Sequence, residues 1–464
     1  MNYSRRDLLN SFGYGIGGMA LADLMQAATP NPLAARKPHF APKAKSVIFM
    51  FMEGGPSQMD LFDPKPALQK HHGKALPAEF TKDLKLAFTK PNAAALASPR
   101  IFQPCGKSGV VISDYLPGLR EVADELCVVR SMHTDAVNHH PGQLLLFTGS
   151  IQFGRPTAGA WVTYGLGSES QNLPGFVALS SGAGTSGGAS NFMSGFLPST
   201  YQGTIFRNSG DPILYLSNPD GISKATQRTS LDAIKELNEE RLRENGDPEI
   251  AARIQSYELA FRMQMSAPEL LDFSNESQET LEMYGIGKEP THQFGTNALL
   301  ARRLVERGVR YVLLMDASWD THTNLNKKLK EKCDATDRGS SALIKDLKRR
   351  GLLDETLVAW GGEFGRTPIC EIRNTSDPDN AGRDHHPTGY SMWLAGGGVK
   401  GGQTIGETDE LGFTITRDKV HVHDLQATML HCLGLDHLKL TYRHMGRDYR
   451  LTDLAGNVVK QMLA

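Results

Sequence analysis

The chain has 464 residues, with 50 Lys and Arg against 51 Asp and Glu, and a formal net charge of −1 at pH 7. This balance argues against a nucleic-acid binder with a broad basic surface. Hydrophobic residues make up 40% and charged residues 22%, which is typical of soluble globular proteins. No apolar run reaches the roughly 20 residues needed to span a bilayer. The odd number of cysteines, 5, excludes a disulfide scaffold.

The first residues resemble an export signal. Arg5 and Arg6 precede a glycine-rich apolar run over residues 8–24, and Ala27 and Ala28 follow. A charged start, a modest apolar middle and a small-residue exit are the features of a twin-arginine signal. We therefore predict a signal and linker over residues 1–35 and a periplasmic or otherwise exported protein. Export to an oxidising space would permit one or two cysteine pairs. The alternative is a frayed amphipathic terminus.

Downstream of the signal, short apolar runs alternate with amphipathic segments. Apolar runs bounded by turn residues predict strands at 46–52, 126–130, 176–179, 309–315, 356–360 and 390–395. Helical periodicity or composition predicts helices at 141–148, 158–166, 230–271, 296–307, 340–350 and 424–433. Residues 181–211 are rich in Gly, Ser and Asn, and predict an irregular segment on the surface or lining a site.

This alternation predicts an α/β fold. Strands that are apolar along their whole length indicate a mostly parallel sheet covered by helices on both faces. No linker divides the chain, so we expect a single domain over residues 36–464, with a helical insertion near residues 225–290. In such sheets, ligands bind at the carboxyl ends of the strands.

Ligand-type side chains follow several of the predicted strands. Carboxylates and imidazoles from four or more strand ends can converge on one point at the sheet edge. The candidate metal ligands are Glu53, Asp320, His322, Glu363, Asp384, His385 and His386. Mixed histidine and carboxylate ligands favour zinc or manganese, while iron and calcium stay open. A divalent metal is therefore the expected cofactor.

Each of these residues also has a structural interpretation. Asp320 and His322 could cap a loop, and Glu363 could cap the turn between its flanking glycines. His139 and His140 could simply begin a helix before Pro141. The run Asp384-His385-His386 favours a metal site more strongly, because three adjacent ligand-type residues rarely form a merely solvated surface.

Five phrases carry a family resemblance: Phe-Met-Glu-Gly-Gly-Pro-Ser-Gln-Met-Asp from Phe51, Leu-Leu-Ala-Arg-Arg-Leu-Val-Glu-Arg-Gly from Leu299, Trp-Asp-Thr-His from Trp319, Gly-Gly-Glu-Phe-Gly-Arg-Thr-Pro from Gly361, and Gly-Arg-Asp-His-His-Pro from Gly382. With them, nearly all of the mature chain resembles the exported bacterial family known as domain of unknown function 1501. Through that family it resembles the alkaline phosphatase and sulfatase superfamily, which implies an alkaline-phosphatase-like α/β fold.

The resemblance also implies roles for individual residues. Glu53 lies where the superfamily has a metal-binding aspartate after its first strand, and Asp320 and His322 match its Asp…His ligand pair. Glu363 matches a later aspartate ligand, and His386 resembles the late histidine ligand. Two positions depart from the superfamily. His139 stands where it has a hydroxyl or thiol nucleophile, although Pro141 and Phe147-Thr148-Gly149 keep the surrounding frame, and Phe364 replaces a frequent His or Asn ligand.

These observations predict an exported, metal-dependent hydrolase that acts on a phosphate or sulfate ester, of a small molecule or a polysaccharide, through a metal-bound water. His139 and His140 would bind metal or act as general base, and Arg366 would face the anionic group. The alternative is a metal- or ligand-binding protein of the same fold without turnover. We expect no nucleic acid, and the sequence does not predict an oligomeric state.

Two other enzyme classes fit less well. Gly184-Thr185-Ser186-Gly187-Gly188 matches the Gly-x-Ser-x-Gly pattern of serine hydrolases, but the nucleophile elbow needs a helix directly after the serine. The residues that follow Ser186 do not predict one. A Rossmann dehydrogenase is disfavoured because the first turn lacks Gly-x-Gly-x-x-Gly.

Overall fold

The computed structural model describes residues 31–81, 87–90, 92–182, 184–207, 213, 218–371 and 380–464. The core of the predicted export signal, residues 1–30, lies outside the described residues. In chain order the strands β1 to β17 are Ser46–Met52, Phe102–Cys105, Val110–Ser113, Leu126–His133, Phe176–Ser181, Thr204–Phe206, Tyr311–Asp316, Thr356–Gly361, Gly365–Glu371, Gly382–His386, Tyr390–Ala395, Gln403–Ile405, Glu407–Thr408, Ile415–Arg417, Val420–His421, Tyr442–His444 and Arg447–Tyr449.

Helices separate most of the long strands. In chain order the helices α1 to α12 are Gln58–Leu61, Leu68–His71, Ala78–Thr81, Pro117–Glu121, His139–Thr148, Ala158–Leu166, Lys224–Asn245, Pro248–Leu271, Gln278–Tyr284, His292–Glu306, Leu325–Arg349 and Val422–Cys432. Local chemistry sets several of their ends. For example, the Asp247 side chain accepts from the Glu249 N–H at the start of α8, and Gly149 ends α5 in the left-handed region with φ 69°.

The centre of the protein is a nine-stranded sheet with the order β12-β4-β11-β8-β1-β7-β5-β6, in which β15 also pairs with β4. Eight of these strands run in one direction, and β11 runs antiparallel to both of its neighbours. All seven residues of β1 are buried, as expected for a strand at the centre of a covered sheet.

Two apolar cores cover the two faces of this sheet. Alternate residues of β1 enter different cores: Ile48, Met50 and Met52 pack with α10 and α11, whereas Phe49 and Phe51 pack with α5, α6 and α12. Side chains of a strand alternate between its two faces, which explains the division. The predicted fold class, a mostly parallel sheet with helices on both faces, is confirmed.

Several predicted elements lie where the sequence placed them. β1, β11 and α6 have the predicted bounds. The charged segment predicted at 230–271 forms two helices, α7 and α8, because Gly246 and Asp247 end one helix and begin the next. Helix α11 begins at Leu325, well before the predicted residue 340. The prediction left out its first half, which has an exposed face with several lysines.

Two expectations need correction or qualification. All five cysteines are buried and free, so the pairs that export would permit are absent. The irregular segment predicted at 181–211 does contain a short strand, β6, and two single 3₁₀ turns. In the part of the chain that the structure describes, no helix has both the length and the apolar character needed to cross a membrane.

Candidate metal centre

Histidines and carboxylates gather at one edge of the central sheet. The carboxyl ends of β1, β4, β7 and β8 all open on this edge, because these strands run in the same direction. β11 runs the opposite way, so the residues that precede it reach the same edge. They belong to a hairpin of β9 and β10, which brings Asp384, His385 and His386 beside the residues that follow β7 and β8.

Two glycines permit the close approach of these segments. A Cβ on Gly54, whose φ is 115°, would lie 2.3 Å from the Asp320 backbone nitrogen. A Cβ on Gly382 would lie 2.1 Å from the His322 carbonyl carbon. Only glycine avoids both clashes, so the chain places Asp320 directly against the end of β1 and His322 directly against β10.

Four of these side chains form the principal group, which we call the histidine cluster: His139, Asp320, His322 and His385. One ligand atom from each lies within 4.8 Å of all the others. Asp320 Oδ1 is 2.9 Å from His322 Nε2, 3.4 Å from His139 Nε2 and 3.4 Å from His385 Nε2. The three imidazoles therefore present their Nε2 atoms to one carboxylate oxygen.

Other groups fix the orientation of each imidazole through its Nδ1 atom. His385 Nδ1 lies 2.7 Å from the Val137 carbonyl oxygen, which can only accept a hydrogen bond. His322 Nδ1 bonds to the Glu371 carboxylate. His139 Nδ1 lies 2.7 Å from Glu363 Oε1. Histidines that bind metals are oriented in this way, with the second ring nitrogen donating to a carboxylate or carbonyl.

The Nε2 atoms of His322 and His385 are only 3.0 Å apart. Both Nδ1 atoms face acceptors and so carry a ring proton, which leaves each Nε2 as the atom that faces the cluster. Burial lowers the pKa of His385 to about 4, so this ring is neutral at pH 7. The neutral His385 ring therefore offers an Nε2 lone pair beside the Asp320 carboxylate, and imidazole nitrogens and carboxylate oxygens are ligands that fit a cation.

His139 has the opposite charge preference to His385. Burial opposes its protonation, but hydrogen bonds to Asp320 and Glu363 raise its pKa to about 9. Burial likewise opposes ionisation of Asp320, yet its histidine and arginine partners hold the pKa of this carboxyl far below its usual range. A proton on His139 thus occupies the place where a cation would otherwise balance the carboxylates.

Arg366 forms a salt bridge with Asp320. Its guanidinium is fully buried and donates to Asp320, to the Gly54 and Gly55 carbonyls and to the Arg383 carbonyl. This differs from the expectation that Arg366 faces an anionic substrate. Its donors are engaged because the β9 backbone directs the side chain beneath the end of β1 rather than toward solvent.

Glu53, His139 and Glu363 form a second group whose ligand atoms also lie within 4.8 Å of one another. Glu363 is fully buried and accepts from the Gly54 N–H with both oxygens at 3.2 Å. Glu53 Oε1 accepts from Gln143 Nε2 at 3.3 Å. His139 therefore belongs to both groups, through Nε2 in one and Nδ1 in the other.

Two of the predicted metal ligands lie outside these two groups. Asp384 is fully buried and accepts from the Phe88 and Thr89 N–H groups at 2.7 and 2.8 Å, and it lies near His322 and Glu371 in a third set of ligand-type residues. His386 faces away from its neighbour His385, because successive residues of a strand point to opposite sides. Its Nε2 lies 3.4 Å from Thr388 Oγ1. Burial lowers the pKa of His386 to about 4.

The other predicted catalytic histidine, His140, also lies apart from the histidine cluster. Its Nε2 is 3.1 Å from Ser190 Oγ, and its ring packs edge-on against Phe153 with the centroids 5.0 Å apart. The helical turn at the start of α5 directs His139 and His140 to different sides. The geometry therefore favours His139 over His140 as the functional residue of this pair.

The sequence did not point to two residues around the site, and it pointed to a third only through another chemistry. Glu371 orients His322, Gln143 contacts Glu53, and Ser186 donates its backbone N–H to Glu53 Oε1 at 3.2 Å. No motif marks Glu371 or Gln143. Ser186 was singled out for a different chemistry, through its Gly-x-Ser-x-Gly pattern.

One side of the histidine cluster is open to solvent. The side chains of Asp320 and His139 are 37% and 22% exposed, whereas those of His322 and His385 are 8% and 2% exposed. The Phe88 ring lies edge-on to both His322 and His385, with centroid distances of 5.5 and 5.6 Å. Catalytic metal sites keep an open position of this kind, whereas structural zinc sites are closed.

A family model described as "Protein of unknown function (DUF1501)" matches residues 44–463. The chain belongs to the DUF1501 family. This membership confirms the resemblance drawn from the sequence motifs. No match to the sequence was found among the curated proteins. The DUF1501 match includes every residue of the two ligand groups.

Solved structures that resemble this DUF1501 member share little sequence with it. The lipoteichoic acid synthase LtaP from Listeria monocytogenes is 8% identical, with 90% of this chain and 78% of that chain covered, at a TM-score of 0.35. The 2-O GAG sulfatase BT1596 is 8% identical, with 92% and 74% covered, at 0.35. An alkaline phosphatase from the Antarctic bacterium TAB5 is 11% identical, with 84% and 98% covered, at 0.30. At these TM-scores no activity transfers to this chain.

Proposed function

We propose that this protein is an exported, metal-dependent hydrolase of phosphate or sulfate esters. The observation that carries the metal site is the 3.0 Å separation of His322 Nε2 and His385 Nε2, whose Nδ1 atoms already face acceptors. His139, Asp320, His322 and His385 would hold the cation. Their nitrogen and oxygen donors favour zinc or manganese, with iron or calcium as the alternatives.

The openness of the cluster supports catalysis rather than a purely structural metal. Asp320 and His139 form its exposed edge, so an ester can approach from solvent while His322 and His385 stay buried. A divalent cation there would act as a Lewis acid toward the ester oxygens and would lower the pKa of a water molecule. Arg366 keeps Asp320 in place, and Glu371 and the Val137 carbonyl keep the two buried rings in the orientation that binding requires.

The substrate is proposed only as a class, an ester carried by a small molecule or a polysaccharide. The twin-arginine pattern at Arg5 and Arg6 supports export before the protein meets such a substrate. Folded proteins with metal inserted use this route, which is consistent with a site assembled from segments distant in sequence.

A direct assay tests this function. The mature chain is loaded with zinc or manganese and incubated with p-nitrophenyl phosphate and p-nitrophenyl sulfate in parallel. We expect release of p-nitrophenol from one ester, its loss on chelation and its recovery when metal returns. His322→Ala should lose both bound metal and turnover, and retention of both would contradict the assignment.

A non-catalytic binding protein is the second candidate. The observation that favours it is His139 at the start of α5, where the resembled superfamily has a hydroxyl or thiol nucleophile. Stoichiometric metal without turnover of either ester would support this candidate and overturn the hydrolase.

A further inference from the structure

A serine hydroxyl lies beside the ligand groups, on the loop that follows β5. The Ser186 N–H donates to Glu53 Oε1 at 3.2 Å, and Gln143 Nε2 donates both to Ser186 Oγ at 2.9 Å and to Glu53 Oε1 at 3.3 Å. Glu53 in turn lies within 4.8 Å of His139 and Glu363, atom to atom. One carboxylate therefore joins the exposed Ser186 to the residues of the candidate metal centre.

The orientation of this hydroxyl is fixed in advance by Gln143. Gln143 is fully buried, and its Oε1 accepts from the Gly187 N–H and from Asn191 Nδ2, each at 2.9 Å. These two donors require the amide oxygen on their side, so the amide NH₂ must face Ser186 and Glu53. Because Ser186 Oγ accepts from that NH₂, its own proton and second lone pair stay available to another group.

Neighbouring hydroxyls on the same loop lack these features. Ser190 is buried, donates to the Gly187 carbonyl and lies against His140 rather than Glu53. Thr185 Oγ1 accepts from Asn191 and faces Met315 Sδ. Among the three, Ser186 alone is exposed and bonded to the same carboxylate as the ligand group.

We propose that Ser186 is the catalytic nucleophile of this hydrolase, an inference that rests on the proposed function. Ser186 Oγ forms a bond to the phosphorus or sulfur of the ester as the bond to the leaving oxygen breaks, and the hydroxyl proton ends on the released alcohol. Water then cleaves the resulting seryl ester, which restores the hydroxyl and releases phosphate or sulfate.

This role replaces the acyl-transfer chemistry that the Gly-x-Ser-x-Gly pattern normally signals. A 3₁₀ turn at Gly188–Asn191 follows Ser186 instead of a helix, so the nucleophile elbow is not formed. Gly187 serves a different purpose, because it lets the loop lie directly against Gln143. A Cβ on Gly187, for example, would lie 2.4 Å from Gln143 Oε1.

The experiment traps the seryl ester directly. The metal-loaded mature protein is mixed with p-nitrophenyl phosphate or p-nitrophenyl sulfate, quenched in acid during turnover and digested for peptide mass spectrometry. We expect one phosphoryl or sulfuryl group on Ser186, according to which ester is hydrolysed. Ser186→Ala should lower kcat by at least about 100-fold with unchanged metal content. Thr185→Val, which removes the neighbouring hydroxyl, should change kcat by less than about 3-fold.

The two proposals fail in different ways. If the wild-type protein hydrolyses an ester but Ser186→Ala keeps its kcat within about 3-fold and no adduct forms, water attacks the ester directly and the Ser186 assignment is wrong. If Ser186→Ala loses its metal, the serine is a ligand or a support for the site rather than a nucleophile. If the wild-type protein with bound metal hydrolyses neither ester, the proposed function fails and the nucleophile with it.

Discussion

Two polar networks in this protein differ in how their charges are balanced. The first, which we call the arginine network, lies between α10 and α11. Arg302 contacts Glu276 and Glu306 at 2.7 Å and Asp346 at 3.0 Å, and Arg350 contacts the other Asp346 oxygen at 3.0 Å. Burial alone would raise the pKa of Asp346, but the two arginines hold it below its usual value. Each charge in this network faces an opposite charge.

The histidine cluster has equally close contacts but no such balance. His322 Nε2 and His385 Nε2 face each other at 3.0 Å. Among the described residues, the carboxylates of the site are offset by Arg366 and by a proton on His139. Three imidazoles that converge on one carboxylate oxygen form a set of nitrogen and oxygen ligands that suits a divalent cation. The difference shows that contact distances alone do not identify a functional site, whereas the chemical type of the groups that converge does.

The largest effect is expected from a substitution that disrupts the arginine network. Asp346→Ala removes the fully buried carboxylate that Arg302 and Arg350 share, so we expect the free energy of unfolding to fall by about 3–5 kcal/mol. Equilibrium denaturation in urea measures this loss. The metal content of the folded variant should equal that of the wild type. A loss below about 1 kcal/mol would show that the arginine network does not depend on Asp346.

The next largest effect is a loss of metal affinity when the histidine cluster loses one ligand. His385→Ala removes one of the two facing nitrogens, and we expect the Kd for Zn²⁺ to rise at least about 100-fold, or about 2.7 kcal/mol. A competition titration against a chromogenic chelator measures it. His386→Ala is the matched control, because the neighbouring ring on the same strand faces away from the cluster. Equal affinities for the two variants would contradict the site as described.

A smaller effect is expected from the group that orients His322. Glu371→Gln keeps the shape of the side chain but removes the charge that holds the Nδ1 proton. Groups behind a metal ligand typically contribute 10–100-fold to affinity, so we expect Zn²⁺ binding to weaken by about 10-fold, or about 1.4 kcal/mol. The same titration measures this change. An effect as large as that of His385→Ala would mean that Glu371 binds the metal itself.

The smallest expected effect is the change in metal affinity for each unit of pH. The carboxylates raise the pKa of His139 to about 9 in the metal-free protein, so a cation that uses Nε2 must displace a proton below that pH. Apparent affinity should therefore rise about 10-fold per pH unit between pH 6 and 8 and level off above pH 9. His139→Gln should flatten this dependence, and an unchanged slope in that variant would assign the proton to another group.

The sequence predicted the sheet and its functional edge well. Apolar runs defined β1 and β11, and the rule that ligands gather at the carboxyl ends of parallel strands identified Asp320, His322 and Glu363 as neighbours. The direction of β11 could not be predicted from its apolar residues. Its antiparallel course is nonetheless what brings the residues before it to that same edge.

The sequence could not show which side chains face the histidine cluster or which residues contact them. His385 and His386 are adjacent and chemically identical, and their strand contains no apolar alternation that would reveal which one faces the cluster. The sequence does not predict the β9–β10 hairpin. Without that hairpin, no pattern connects Glu371 with His322, and Arg366 is expected to face the substrate rather than Asp320. The contacts of Gln143 with Ser186 join residues 43 positions apart and leave no local pattern.

The most direct test of the account is the metal content of the purified mature protein by elemental mass spectrometry. We expect near-stoichiometric zinc or manganese in the wild-type protein and close to none in His322→Ala. No bound metal in the wild type, even after reconstitution with Zn²⁺ and Mn²⁺, would contradict the metal centre and the hydrolase proposed from it.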